Sequence, residues 1–382
     1  MSDRAGFSAP DGVLPDHAIR ALIEQGAISL NASGAARIKN ESTPSRIQPA
    51  SLDLTLGAKA WRVRASFLPS RAPSVAARLT ETDDNGESLM MHEIDLSGGA
   101  VLERGCVYLI ALNEHLALPD EISASANPKS STGRIDVFVR MVVDRGGAFD
   151  EAPAGYEGPL YAEISPRTFS ILVREGSSLN QLRFKKGRPH LTDSETRKLH
   201  DNAALIDGLI DIGGGVGVRI DLSDEGGGPV GWRARRHSAL IDVDKKNGLN
   251  PNAYFEPITN VPSRSLILDP DEFYILASKE RMRVPPTHAA EMTPINTGLG
   301  EFRVHYAGFF DPGFGWRDGK APSSRGVLEV RSHDAPFLLE DGQLVARLVY
   351  ERMTARPEKL YGDDLTSNYQ DQGLKLSKHF KA

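Results

Sequence analysis

Apolar residues along this chain gather in short runs rich in β-branched and aromatic side chains, each cut off by Gly, Pro, Asn or Asp. "VYLIAL", "DVFVRMVV", "TFSILV", "FYILAS", "PFLLE" and "QLVARLVY" are examples. Such runs between turn signals read as strands, and a succession of them reads as an all-β body. One stretch has a different period. In "LPDHAIRALIEQG" (14–26), Ile19, Leu22 and Ile23 share a stripe, Asp16 stands where a cap is needed and Gly26 where the turn must stop, so a helix is predicted. The cluster "DIGGGVGVRID" (211–221) lacks the lysine and the strand-then-helix setting of a phosphate loop, and reads as a flexible connection between strands.

The pattern repeats. "VYLIALNEHLALPDEISASANPKSSTGR" (107–134) lies over "FYILASKERMRVPPTHAAEMTPINTGLG" (273–300), with Tyr108 on Tyr274 and Pro119 on Pro285, an offset of 166 residues (274 − 108). The same offset carries "AEISPRTFSILVREGSSLNQLRF" (162–184) onto "LEVRSHDAPFLLEDGQLVARLVY" (328–350), pairing Glu163 with Glu329. Upstream, "LDLTLGAKAWRVR" matches "IDLSDEGGGPVGWRAR" after a small insertion. Self-similarity at this spacing is a tandem duplication of one β domain. The expected division is residues 1–200 and 201–382, with a tail from about residue 355. The copies differ where chemistry would sit. Copy one has Lys129, Ser130, Ser131 and Arg134; copy two has Ile295, Asn296, Thr297 and Gly300 at those places.

Composition narrows the options. A net charge of −6 over 382 residues gives no global basic field for nucleic acid, so any phosphate binding must come from local groups. No apolar run approaches the roughly 18 residues of a membrane span, and the start "MSDRAGFSAPDG" has no apolar signal core. The expectation is a soluble, cytoplasmic protein that binds neither membrane nor nucleic acid. A single cysteine, Cys106, leaves no disulfide framework. The H-x-E and P-C-x-x-C cluster of zinc-dependent base deaminases does not occur either.

Several stretches together resemble the dCTP deaminase family of the trimeric dUTPase-like superfamily. "GVLPDHAIRALIEQGAI" followed by "IQPASLDLTLG" is similar to its opening helix and first strand. "KSSTGR" (129–134) resembles its phosphate and catalytic motif, and "GYEGPLYAEI" (155–164) the segment ending in the catalytic glutamate. "GSSLNQLRF" (176–184) resembles the closing strand, and "YGDDLTSNYQDQGLKLSKHF" (361–380) the tail that folds over the nucleotide. The doubled length resembles a long, duplicated form. In copy one "DRGGAFDEAPAG" (144–155) stands where the family has D-P-G, whereas copy two keeps "DPGFG" (311–315).

The resemblance implies a mainly β fold, a dUTPase-like distorted β-barrel (β-clip) in tandem, and deamination of dCTP to dUTP and ammonia without zinc, feeding dUMP and dTTP synthesis. Hydrolysis at cytosine C4 needs one group to give a proton to N3, take one from water and return one to the departing amine. Glu163 is expected to be that group, with Arg134 and Ser130 holding the water and the developing charge. Lys129, Ser130, Ser131, Arg134, Arg145 and Gln181 are expected to bind nucleotide, with Tyr369 and Gln372 closing over it. Mg²⁺ is expected to arrive on the triphosphate. A homotrimer with six copies is expected, copy one carrying the sites and copy two bracing them. A dUTPase or a bifunctional dCTP-to-dUMP enzyme is the alternative on the same fold, and a nucleotide-binding regulator the non-enzymatic one.

Overall fold

The structure, a computed structural model, describes residues 9–30, 46–69, 74–223, 227–259, 261–295, 302–305, 308–332, 334–363 and 369–381. Three of the copy-two counterparts named above, Asn296, Thr297 and Gly300, lie outside the described residues.

The fold is mainly β, as the alternation of short apolar runs and turn residues requires. In copy one, Glu157–Pro166 lies between Val107–Ala117 and Val137–Val143 in an antiparallel six-stranded sheet. A second sheet pairs Asn180–Lys186 with Ile122–Pro128. Copy two repeats both pairings: Ser324–Ser332 on Tyr274–Met282, and Leu344–Arg352 on His288–Pro294. Even the registers carry over. Glu163 stands opposite Leu109 and Glu329 opposite Ile275, while Gln181 stands opposite Asn127 and Arg347 opposite Thr293. Glu157–Pro166 is buried on both faces, which is why it reads as a continuous run and not as an alternating one.

The first helix runs Asp16–Glu24 and buries Ile19 and Leu22, and Gly26 follows it at φ 77°. Its N-cap is Pro15, so Asp16 does not cap it as expected. The Asp16 carboxylate instead accepts the Glu358 amide at 3.0 Å and Arg20 Nη2 at 3.2 Å. A second helix, Asp193–Ala203, joins the copies and starts with a capping box between Thr192 and Glu195. The glycine cluster is only partly a connection, because Val216–Arg219 is itself a strand paired with Leu344–Arg352.

The copies are packed into each other. Copy one's core takes in Tyr254, Phe255, Ile275 and Val327 of copy two and Leu376 and Phe380 of the tail. Phe169, Tyr254, Phe255 and Phe380 meet edge to face, with centroids 5.4–5.7 Å apart. Buried ions cross the same boundary. Arg183 of copy one, fully buried, donates to Glu351 at 2.9 Å and Asp311 at 3.3 Å, and Arg331 of copy two holds Asp136. Removing one partner of such a buried pair costs about 3–5 kcal/mol, because the other charge is left unpaired. Among the described residues, no helix is long and apolar enough to cross a membrane.

Candidate functional site

A cavity of about 740 Å³ lies where the copies meet. One end is built by copy one. The Ile122–Pro128 strand ends at Lys129, and residues 130–133 make one helical turn that delivers Ser130, Ser131 and then Arg134 to the wall. Lys129 Nζ pairs with Asp53, and Gln181, on the neighbouring strand, accepts from Ser51 Oγ at 3.3 Å. The other end is built by copy two and the tail. Phe309 and Phe310 form a short strand paired with His288–Pro294, Asp311 and Phe314 follow it, and Tyr361 packs on Phe314 at 5.7 Å. Glu329 also lines the cavity, from the buried strand Ser324–Ser332.

Arg134 is 3% exposed and is held by the tail. Nη1 donates to the Lys375 carbonyl at 2.9 Å and Nη2 to Gln372 Oε1 at 3.0 Å, while the guanidinium lies over the Tyr369 ring at 3.9 Å. Its Nε, which has no hydrogen-bond partner, faces Glu329 Oε1 at 3.8 Å. That is beyond hydrogen-bond length but within ion-pair distance, so carboxyl and guanidinium face each other without a direct hydrogen bond. Burial pushes the Glu329 carboxyl up to about 8 against the pull of Arg134. The wall therefore presents a carboxylic acid that is mostly protonated at neutral pH. Asp311 is also raised, by burial, with Arg183 opposing.

Of the residues singled out from the sequence, Lys129, Ser130, Ser131, Arg134, Gln181, Tyr369 and Gln372 line this one cavity. Two, Glu163 and Arg145, do not. Glu163 is not in the wall: its carboxylate accepts Arg140 Nη2 at 2.8 Å, and that guanidinium is stacked on Phe149 at 3.5 Å. Arg140 stands directly opposite Glu163 on the adjacent strand, so the place facing the carboxylate is taken by copy one's own side chain. Arg145 is exposed, in a turn at φ 58°, and does not reach the cavity. Copy one alone was expected to hold the site; this cavity is lined by residues of copy two as well, Glu329 among them. The homotrimer was expected because the family's sites form between neighbouring domains around a threefold axis, which two copies cannot complete alone; the residues named for this cavity come from both copies of one chain. Among the described residues, no group of three or more His, Cys, Asp or Glu is arranged to hold a metal ion.

The fold and cavity define a duplicated all-β protein whose two copies complete one pocket, cationic and hydroxylic at one end, aromatic with a protonated carboxyl at the other. Two family models cover nearly the whole chain: the 2'-deoxycytidine 5'-triphosphate deaminase N-terminal domain over residues 10–188 and its C-terminal domain over residues 192–380. A solved structure, the 2'-deoxycytidine 5'-triphosphate deaminase from Agrobacterium tumefaciens, is 51% identical with a TM-score of 0.84, covering 93% of this chain and 99% of that one. The chain belongs to the 2'-deoxycytidine 5'-triphosphate deaminase family. Curated relatives match locally. A Halobacterium salinarum protein named "dCTP deaminase, dUMP-forming" is 33% identical over 28% of this chain and 52% of its own length. A Haloarcula marismortui protein named "dCTP deaminase" is 30% identical over 36% of this chain and 66% of its own length. This chain thus spans about half of the first and just under two thirds of the second.

Proposed function

We propose that this chain deaminates dCTP hydrolytically, and that the carboxyl doing so is Glu329 facing Arg134 across the boundary between the copies. The observation that supports this most is the pairing of a carboxyl raised to about 8 with a guanidinium 3.8 Å away in one cavity. Protonated Glu329 gives its proton to N3 of cytosine. As carboxylate it takes a proton from the water adding to C4, passes that proton to the departing amine, and takes the remaining proton of the C4 hydroxyl as the carbonyl forms and ammonia leaves. Cytosine and water become uracil and ammonia, and Glu329 ends as it began. Arg134, with Ser130 beside it, orients the water and offsets the charge developing at C4. The tail fixes Arg134 through Gln372 and Lys375, so its geometry is set before the reaction. Phe309, Phe310 and Phe314 supply an apolar surface for the base, and Ser130, Ser131 and Lys129 an anion-binding turn for phosphate. Magnesium enters on the triphosphate, and no zinc is required.

A second reading has its own support: the Halobacterium salinarum relative is named as forming dUMP. On that reading dUTP is cleaved further, with pyrophosphate as co-product. Incubation with dCTP and Mg²⁺, measuring ammonia, dUTP, dUMP and pyrophosphate, tests both. Ammonia with dUTP supports deamination alone, ammonia with dUMP and pyrophosphate the bifunctional form, and no ammonia overturns the proposal.

A further inference from the structure

Asp136 stands two residues beyond Arg134 in copy one, and Arg331 two residues beyond Glu329 in copy two. A step of two along a strand returns to the same face, so Arg331 shares the side of Ser324–Ser332 that carries Glu329. A second charge pair thus crosses the boundary beside the first, with its signs reversed. Arg134 and Glu329 make no direct hydrogen bond, but this second pair is fully engaged. Arg331 Nε lies 3.2 and 3.1 Å from the two Asp136 carboxylate oxygens, and Nη2 donates to Oδ2 as well. Thr168 braces both partners: its Oγ1 donates to Asp136 Oδ2 at 2.5 Å and accepts Arg331 Nη2 at 2.8 Å. Arg331 Nη1 donates to the Asp271 carbonyl at 3.1 Å. Both charged side chains are buried, and neither lines the cavity.

The backbone at Asp136 is held too. Its φ of 54° is left-handed, a conformation that aspartate tolerates better than most side chains. Its amide donates to the Gly133 carbonyl at 2.8 Å, and its carbonyl accepts the Arg167 amide at 2.9 Å. The chain is therefore clamped just after Arg134. The other end of the turn is anchored separately, by the Lys129 amide on the Leu179 carbonyl at 2.9 Å and Ser377 Oγ on the Ser131 carbonyl at 2.7 Å. The duplication does not repeat the pair. At the 166-residue offset the sequence has Phe302 for Asp136 and Ser165 for Arg331. The pair occurs once, at the place where Arg134 meets Glu329. A buried ion pair adds little stability over apolar side chains of the same size, whereas its forked geometry fixes one alignment of the two segments.

We propose that Asp136 and Arg331, braced by Thr168, are positioning residues for the reaction: they lock the end of copy one's turn onto copy two's strand and so set how Arg134 stands to Glu329. The inference rests on the reading of Glu329 and Arg134 given above. Because the phosphate end of the turn has its own anchors, the pair governs turnover more than nucleotide binding.

The test uses the full chain, the single variants Asp136→Asn, Arg331→Met and Thr168→Val, and the Asp136→Asn/Arg331→Met double variant. Ammonia release from dCTP gives kcat and KM separately, and denaturant unfolding gives the midpoint. Asp136→Asn and Arg331→Met each leave one buried charge unpaired, so each should lower both midpoint and kcat. The double variant removes equal and opposite charges. It should regain most of the midpoint while kcat stays about 10- to 100-fold low and KM changes less than about threefold. In its crystal structure the Arg134–Glu329 separation should depart from 3.8 Å. Thr168→Val keeps both charges paired and removes only the brace, and should lower kcat by about 3- to 10-fold at unchanged KM. A double variant whose kcat recovers along with its midpoint, a loss confined to KM, or Thr168→Val turning over like the wild type overturns the positioning role. A wild type that releases no ammonia from dCTP, or a fully active Glu329→Gln, overturns the functional reading instead.

Discussion

Glu163 and Glu329 occupy the same place in two copies of one fold, on the same buried strand and in the same register, 2% and 5% exposed. What faces them differs. Glu163 meets Arg140 of its own sheet at hydrogen-bond distance and is closed off by Phe149. Glu329 meets Arg134 of the other copy without a hydrogen bond, over an open cavity. On the proposed reading, the carboxyl that acts is the one whose charge partner arrives from the other copy, with copy one supplying the anion-binding turn and copy two the acid.

The comparison breaks most sharply at the carboxyls. Glu329→Gln should cut dCTP deamination at least ~10³-fold, about 4 kcal/mol of transition-state stabilisation. Glu163→Gln should stay within a few-fold in the same ammonia-release assay. The opposite outcome would move the site to copy one. The next effect is on stability. Arg183→Met leaves Glu351 buried with only Lys185 at 2.8 Å and His190 beside it, and should cost about 3–5 kcal/mol in denaturant unfolding. Glu256→Gln, at the exposed Arg233 and Arg235 pairs, should cost under ~1 kcal/mol. Arg134→Lys keeps the charge but loses the fork to Gln372 and Lys375 and the stack on Tyr369, and should lower kcat/KM roughly 10²-fold with little change in unfolding midpoint.

The smallest effect is pH dependence. The proposed chemistry needs protonated Glu329 in the free protein, so kcat/KM should fall by about tenfold per unit above pH 8. The same group gives a stability signature. Its folded value, about 8, lies above the ordinary carboxyl value of 4.5, so between them the native state binds more protons than the unfolded one. Its contribution is fully present below pH 4.5 and is lost as pH rises through 8. Glu329→Gln should flatten that decline, measured as unfolding midpoint against pH.

Much of the fold was legible. Repeated apolar runs of strand length gave the β body, and the constant offset between the copies returned as identical strand registers. The helix at Asp193–Ala203 was missed although Thr192 and Glu195 spell a capping box, because its apolar stripe is weak among charged residues. The cationic half of the cavity was legible too, since Lys129 to Arg134 are adjacent in the chain. The acidic half was not, because strand position alone cannot say which of two equivalent glutamates faces a neighbour's arginine. One signal pointed to it: "DPGFG" and Glu329 stand together in copy two, while "KSSTGR" stands in copy one. On the proposed reading, these two sets of motifs belong to one shared site.

The central claim is that one chain completes the site from both of its copies. It is tested most directly by mixing two inactive variants, Arg134→Ala and Glu329→Gln, and measuring ammonia release from dCTP. If each site is built within one chain, every site in the mixture carries one of the two lesions, and activity stays at the level of the separate variants. Recovery on mixing, by unfolding and refolding the chains together or by simple incubation, would mean that Arg134 of one chain serves Glu329 of another, and would contradict the account.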